Sequence, residues 1–153
     1  MTGQYIAFRM NMRVRMLEKI RLMLSAAESS VSYLRATSDE LVRSLAGNSE
    51  LKELDFLREC RERMDSGEDF RSAWFSSVNK NTRYLKREDK VMLISFGRFF
   101  GISDSDGQTA NCRMHIKLVG DRLSEAKSMR DRYASLSCGM GIVCGVGAVI
   151  VLI

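Results

Sequence analysis

The sequence predicts an all-α protein, an antiparallel bundle of about six helices with a C-terminal transmembrane helix. The 153 residues include no proline, the residue that most often interrupts a helix. Between the ends of the chain, apolar residues recur at three- and four-residue steps, and no run alternates as a strand does. The last part of the chain, residues 136–153, contains no charged side chain. We therefore divide the chain into residues 1–15, a helical bundle of residues 16–135, and residues 136–153.

The first two helices are predicted from apolar spacing and from capping residues. A long helix runs from about Gln4 to Arg35, because its apolar residues follow helical steps. These residues are Met16, Ile20, Met23, Leu24, Ala27, Val31 and Leu34. Thr37 and Glu40 then form a capping-box pattern, which predicts the start of a short second helix. We expect Gly47 to end that helix in the left-handed conformation.

The third and fourth helices follow with shorter apolar stripes. Ser49 is the predicted cap of the third helix and Gly67 its end. Its stripe consists of Leu51, Leu54, Leu57, Cys60 and Met64. The fourth helix is expected to bury Phe70, Ala73, Trp74, Ser77 and Val78.

The fifth and sixth helices complete the predicted bundle. The fifth begins near Lys86, places Glu88 and Asp89 in a first turn that favours acids, and stops at Gly101. Its stripe includes Phe96 and Phe100, which we expect in the core. Ser103 or Asp104 caps the sixth helix, whose stripe comprises Cys112, Ile116, Val119, Leu123, Ala126 and Tyr133. No stop signal separates this helix from the tail, so we expect one continuous helix.

The tail, residues 136–153, is predicted to be a membrane anchor. As a helix it would be roughly 27 Å long, close to the roughly 30 Å of a hydrocarbon core. A buried core helix is the alternative, but such a helix normally keeps a polar face. Arg130 and Arg132 precede the tail, which places the helical bundle in the cytoplasm. Ser137, Gly141 and Gly145 recur at four-residue spacing, which indicates a helix-packing contact in the membrane or simply the abundance of glycine in such helices.

The positive charge is concentrated near the N-terminus. The basic residues of this arm are Arg9, Arg13, Arg15, Lys19 and Arg21, with Glu18 as the one acid among residues 1–22. Such an arm suits anionic lipid headgroups or nucleic acid. Residues 1–8 lean apolar and are too short to span a bilayer, so residues 1–15 read as the remnant of a membrane segment with a basic membrane-surface arm. No nucleic-acid recognition module accompanies the arm.

Catalytic and metal-binding patterns are missing from the sequence. His115 has no carboxylate or cysteine at ligand spacing and is expected to be a surface or interhelical residue. Asp104 and Asp106 resemble the start of a calcium loop, but no glutamate occupies the twelfth position. The four cysteines form no C-x-x-C pair, and Cys60 and Cys112 are expected to be small buried hydrophobes. We predict no catalytic residue, metal or cofactor, and hence a protein that is not an enzyme.

Several spaced features resemble the stage III sporulation protein AB family of endospore-forming bacteria. Residues 93–104, LISFGRFFGISD, are similar to that family's "L..FG..LG.sD" stretch. Gln108 and residues 115–118 match the family pattern after this stretch, and residues 133–136 match it before the apolar tail. Members of the family usually begin with a full transmembrane helix, whereas this chain begins at what would be its last turn, near Gly3. The family's proline after the basic residues is also absent, which should leave the first helix straighter.

The resemblance implies a function as well as a fold. It implies a non-enzymatic, membrane-anchored platform or adaptor subunit of a secretion-like channel between mother cell and forespore. The helical domain would be similar to the cytoplasmic domains of type II secretion and type IV pilus platform proteins. It would lie on the mother-cell side of the membrane around the forespore and couple a secretion-type ATPase, the family's AA protein, to other membrane subunits. Self-association and contact with lipids are further expectations, and no nucleic acid is expected.

Two other readings of the residues stay open. The basic arm suits a peripheral nucleic-acid-binding helical protein, and the tail also suits a generic membrane-anchored helical scaffold.

Overall fold

The computed structural model describes the backbone of residues 2–100 and 105–152 and the side chains of residues 3–100 and 106–136. Its helices are α1 (Thr2–Leu34), α2 (Ser38–Ala46), α3 (Asp55–Asp65), α4 (Phe70–Lys80), α5 (Arg87–Phe99) and α6 (Ser105–Leu152). A 3₁₀ turn, Ser49–Leu51, lies between α2 and α3. No strand occurs in these described ranges, and the predicted all-α class with six helices is confirmed.

The two long helices, α1 and α6, form an antiparallel pair. Residues that come later in α6 contact residues that come earlier in α1. From one end of the pair to the other, they are Ser32–Thr109 (3.1 Å between hydroxyl oxygens), Glu28–Arg113 (2.7 Å), Glu18–Lys127 (3.5 Å) and Gly3–Tyr133 (3.2 Å). The beginning of α1 and the second half of α6 therefore lie at the same end of the molecule.

The four short helices complete one core against this long pair. α2 contacts α1 and α3, α3 contacts α4, α4 contacts α5, and α5 contacts α6. Trp74 lies at the centre of an aromatic cluster, with its ring 5.5 to 5.7 Å from those of Phe56, Phe70 and Phe96. Phe96 and Phe100 are both buried, so their predicted place in the core is confirmed. Burial of such large apolar surfaces is the main favourable term in folding.

Two predicted helix boundaries are confirmed in atomic detail. At the start of α2, the Glu40 N–H donates to Thr37 Oγ1 (3.2 Å) and the Thr37 N–H donates to Glu40 Oε2 (3.3 Å), a complete capping box. At the end of α3, Gly67 has a φ of 104°, a left-handed conformation that glycine adopts at little cost. The N–H groups of Gly67 and Glu68 then bond back to carbonyls of α3, as in a Schellman motif.

The prediction that Gly47 ends α2 in the left-handed conformation is wrong. Gly47 is right-handed, with φ −84° and ψ −7°, and its N–H donates to the Arg43 carbonyl. The chain can continue directly into the 3₁₀ turn from this conformation, so no reversal is needed. A left-handed residue occurs at the end of the preceding helix, where Arg35 follows α1 with a φ of 49°.

The predicted start of the third helix at Ser49 is also wrong. The Asn48 side chain accepts a hydrogen bond from the Glu50 N–H (3.0 Å) and caps the 3₁₀ turn, while α3 begins only at Asp55. This break between the 3₁₀ turn and α3 has a packing reason. Leu51 ends the turn, Leu54 directly precedes α3, and both side chains are buried.

The prediction of one continuous sixth helix agrees with the backbone, which is helical from Ser105 to Leu152. α1 likewise continues through residue 15 without a break. Gly101 and the predicted caps Ser103 and Asp104 lie outside the described residues. Within the part that the structure describes, no helix contains a stretch long and apolar enough to cross a membrane. The side chains of residues 137–153, on which the predicted anchor depends, lie outside that part.

Candidate interaction surfaces

The basic residue Arg13 is part of the core and not of a surface arm. Its Nε donates to Asp89 Oδ2 (2.8 Å) and its Nη2 to Asp89 Oδ1 (3.1 Å). Asp89 Oδ2 also accepts the backbone N–H of Lys86 (3.0 Å), and the two ion-paired side chains are 7% and 0% exposed. The hydrogen bond to Asp89 raises the pKa of Arg13. The prediction that Arg13 faces a membrane surface is therefore corrected: its charge is neutralised by a carboxylate on α5.

The other predicted arm residues have different surroundings. Arg15 is exposed, and its Nε donates to Glu53 Oε2 (2.7 Å), so its charge too is paired. Lys19 is half-buried, and Arg9 is exposed with its guanidinium 5.9 Å from the centre of the Tyr5 ring. That Arg9 and Lys19 contact lipid stays a prediction.

The end of the molecule around the start of α1 combines exposed apolar and basic side chains. Tyr5, Ile6 and Phe8 are 60%, 38% and 51% exposed. The Phe8 ring lies edge-on to Tyr84 at 6.0 Å, which ties this end to the segment between α4 and α5. The Tyr133 hydroxyl donates to the Gly3 carbonyl at the same end. Amphipathic aromatics beside cations are typical of side chains at a membrane–water interface.

The predicted membrane-packing residues Ser137, Gly141 and Gly145 lie outside the residues whose side chains are described. Their backbone belongs to α6. Their role in helix association stays a prediction.

The crossing of α4 and α5 gives a physical reason for part of the motif at residues 93–104. The Trp74 indole N–H donates to the Leu93 carbonyl at 2.7 Å. A Cβ placed on Gly97 would lie 2.1 Å from Trp74 Cδ1, so only glycine permits this approach of the two helices. The sequence showed the glycine of the motif and the tryptophan separately. Their contact could not be read from it, because it depends on how the two helices cross.

The single histidine lies inside the bundle between α5 and α6. His115 is buried, its Nδ1 is 2.9 Å from the Asn111 carbonyl oxygen, and its ring lies 5.5 Å from that of Phe96. Its Nε2 has no hydrogen-bond partner among the described residues. Burial lowers the pKa of His115 below its ordinary value of 6.5. The residue is thus interhelical rather than on the surface.

The cysteines Cys60 and Cys112 are buried free thiols, as predicted. Burial raises the pKa of each to about 12, so the reactive thiolate is disfavoured. Cys138 and Cys144 lie outside the residues with described side chains. Within those residues, no three His, Cys, Asp or Glu side chains are grouped as metal ligands.

These features define a class of all-α protein in which four short helices pack on a long antiparallel helix pair. The profile of the family described as stage III sporulation protein AB matches residues 1–153, the whole chain. The chain therefore belongs to the stage III sporulation protein AB family, and a role in sporulation follows.

A solved structure, "Stage III sporulation protein AB (SpoIIIAB)", is similar with a TM-score of 0.61 and 19% sequence identity. The similarity covers 77% of this chain and 95% of that one. It supports the fold. A search of curated proteins gave no match.

Proposed function

We propose that the protein is a non-enzymatic, membrane-anchored adaptor subunit of a secretion-like sporulation channel between mother cell and forespore. Its helical domain faces the mother-cell cytoplasm and couples a cytoplasmic secretion-type ATPase to membrane subunits. The observation that carries the proposal is the antiparallel pairing of α1 and α6. This pairing brings the exposed apolar start of α1 to the end of the bundle from which α6 continues through the uncharged residues 136–152.

The dimensions of α6 support a membrane at this end. Beyond Tyr133, which contacts Gly3, the helix continues to Leu152. At 1.5 Å per residue this extension is roughly 28 Å long, close to the roughly 30 Å thickness of a hydrocarbon core. A bilayer that receives the tail would meet Tyr5, Ile6 and Phe8 at its surface, where aromatic rings are favoured.

The short helices support the adaptor role. α2 to α5 pack one against the next and against the long pair, and the buried Arg13–Asp89 pair joins α5 to α1. Helices packed in this way against a membrane-anchored helix pair are suited to transmit contact with a cytoplasmic partner to the membrane subunits. The ATPase as that partner comes from the family resemblance.

The test is capture of the ATPase by the full-length chain in lipid nanodiscs. The family's AA protein is added to immobilised nanodiscs with and without the chain, in the presence and absence of ATP. We expect retention only where the chain is present. Absence of retention in both nucleotide conditions would contradict the adaptor role and leave a generic membrane-anchored scaffold as the better description.

Nucleic-acid binding by the basic arm, the other candidate, loses support from the geometry. Two of the five basic residues of the arm, Arg13 and Arg15, are paired with Asp89 and Glu53. Contacts to phosphates would give binding that weakens steeply with salt. We expect no such salt-dependent binding of DNA or RNA to the full chain, and its detection would favour this second function.

A further inference from the structure

An exposed groove runs between α4 and α5. It has a volume of about 340 Å³ and is lined by Arg71, Ser72, Trp74, Phe75, Ile94 and Arg98. Phe75 is 52% exposed, whereas most phenylalanine side chains are buried in the core of a folded protein. Val91 is 57% exposed and lies one helical turn before Ile94, so it extends the apolar centre along α5. The groove is thus an apolar strip that the described part of the chain leaves uncovered.

The floor of the groove is held in place before any partner binds. The ring of Trp74 is fixed by its hydrogen bond to the Leu93 carbonyl and by its contact with Gly97. The ring is further held by the aromatic residues that surround it in the core. A preformed surface loses little conformational entropy on binding, which favours affinity.

The two charged side chains that line the groove are both arginines, and the acid beside them, Asp69, caps α4 by accepting the N–H of Ser72 (3.2 Å). Phe70 lies against Phe100, and Trp74 bonds to Leu93, so α4 and α5 are antiparallel, and Arg71 and Arg98 lie at the same end of the groove. Both arginines are exposed, neither forms an ion pair within the described residues, and none of the lining residues is acidic. Arginine and aromatic side chains are the types most enriched at the centres of protein interfaces.

The position of the groove argues against a lipid surface as its occupant. The basic end lies near Phe96, whose carbonyl accepts a hydrogen bond from Asn111 at the start of α6. Asn111 is roughly 33 Å along α6 from Tyr133, which marks the end nearest the proposed membrane. A second copy of the chain presenting the same groove would bring four unpaired arginines together, which is unfavourable.

We propose that this groove docks an acidic amphipathic helix of a partner protein. The partner's apolar side chains would lie on Phe75, Ile94 and Val91, and its carboxylates would bond to Arg71 and Arg98, since guanidinium and carboxylate groups form strong paired hydrogen bonds. This inference rests on the adaptor role proposed above and deepens it by naming the surface and the chemistry of the partner segment.

The test uses the full-length chain in nanodiscs of zwitterionic lipid and two synthetic peptides. One is a helical peptide of about four turns with a leucine stripe flanked by glutamates, and the other replaces each glutamate with lysine. We expect the glutamate peptide to bind at least about tenfold more tightly than the lysine peptide. The double variant R71E/R98E should reverse this preference, and F75A should weaken binding of the glutamate peptide.

A matched control keeps the result specific. R58E/R61E makes the same change of charge at exposed arginines on α3, outside the groove, and should leave the preference as in the original chain. Circular dichroism confirms that each variant is folded. A reversed preference between the two peptides in R71E/R98E cannot arise from unfolding, because an unfolded chain would lose binding to both. Equal binding of both peptides, no binding, or the same loss in R58E/R61E would overturn the groove proposal. None of these outcomes bears on ATPase capture, which tests the adaptor role separately.

Discussion

Arg13 on α1 and Asp89 on α5 are separated by 76 positions in the sequence, yet their side chains form two hydrogen bonds in the interior of the bundle. Burial of two opposite charges costs several kcal/mol of desolvation per ion unless the geometry compensates. Here it does, because the guanidinium meets both carboxylate oxygens and the Lys86 N–H adds a third hydrogen bond to Asp89. The pair fixes the start of α5 against α1 and so positions the α4–α5 hairpin.

Removal of Asp89 should be strongly destabilising. D89A leaves the Arg13 guanidinium buried without a counter-charge, and we expect a loss of about 3–5 kcal/mol in the free energy of unfolding. Urea unfolding followed by circular dichroism measures it. The double variant R13M/D89L should lose less than D89A, because no unpaired charge remains. E53A, which breaks the exposed Arg15–Glu53 pair, should cost at most about 1 kcal/mol. A comparable small loss in D89A would show that the buried pair does not hold the bundle together.

Substitution of Gly97 should disturb the α4–α5 crossing. In G97A the new methyl group would lie 2.1 Å from Trp74 Cδ1, and the indole cannot move because it is packed and hydrogen-bonded. We expect destabilisation of about 1–3 kcal/mol or more from overpacking, measured by urea unfolding.

Gly120 on α6 provides the matched control for Gly97. A Cβ added there meets no atom within 4 Å, so G120A should stabilise the helix by roughly 0.5–1 kcal/mol. If both variants shifted stability in the same direction, the contact with Trp74 would not be the reason for glycine at position 97.

The local patterns of the sequence predicted most of the fold but not the contacts between distant elements. Helical spacing gave six helices, and the Thr37 capping box and the end of α3 at Gly67 are confirmed because each depends on a few neighbouring residues. The cluster of basic residues near the N-terminus predicts a surface position for Arg13, but the carboxylate that neutralises it belongs to another helix. The groove was not predicted for the same reason, since its walls come from two helices. Gly47 has the residue type of a left-handed cap but leads into a 3₁₀ turn that does not require one.

Stability should fall at mildly acidic pH because of His115. Burial lowers its pKa below 6.5, so the unfolded chain binds a proton in a range where the folded chain does not. The folded state therefore loses stability as the pH falls through about 6.5 towards the pKa of the folded state, and keeps it above that range. The free energy of unfolding should decrease between about pH 7.5 and 5.5, and H115Q should show a smaller decrease. The hydrogen bonds to Ser72 lower the pKa of Asp69 below 3.8, so its contribution to stability is lost only as the pH approaches and passes 3.8, below this range. An equal decrease in H115Q and the original chain would rule out His115 as the cause.

The small residues of the tail should mediate helix association in the membrane. Replacement of Gly141 and Gly145 by leucine removes the close approach that small residues at four-residue spacing permit. We expect weaker self-association of the tail in a membrane dimerisation assay and unchanged thermal unfolding of residues 16–130. V143L, which enlarges a position off this row of small residues, should leave association unchanged. Unaltered association in the glycine variant would indicate that these glycines have no packing role.

The membrane attachment of residues 136–153 is the central claim and is tested most directly by flotation of the full-length chain with lipid vesicles. The account predicts that the chain floats with the vesicles and stays with them after an alkaline carbonate wash, whereas V146R/V149R, which places charges in the apolar tail, is released. A full-length chain that remained monodisperse in detergent-free buffer and did not float would contradict the account.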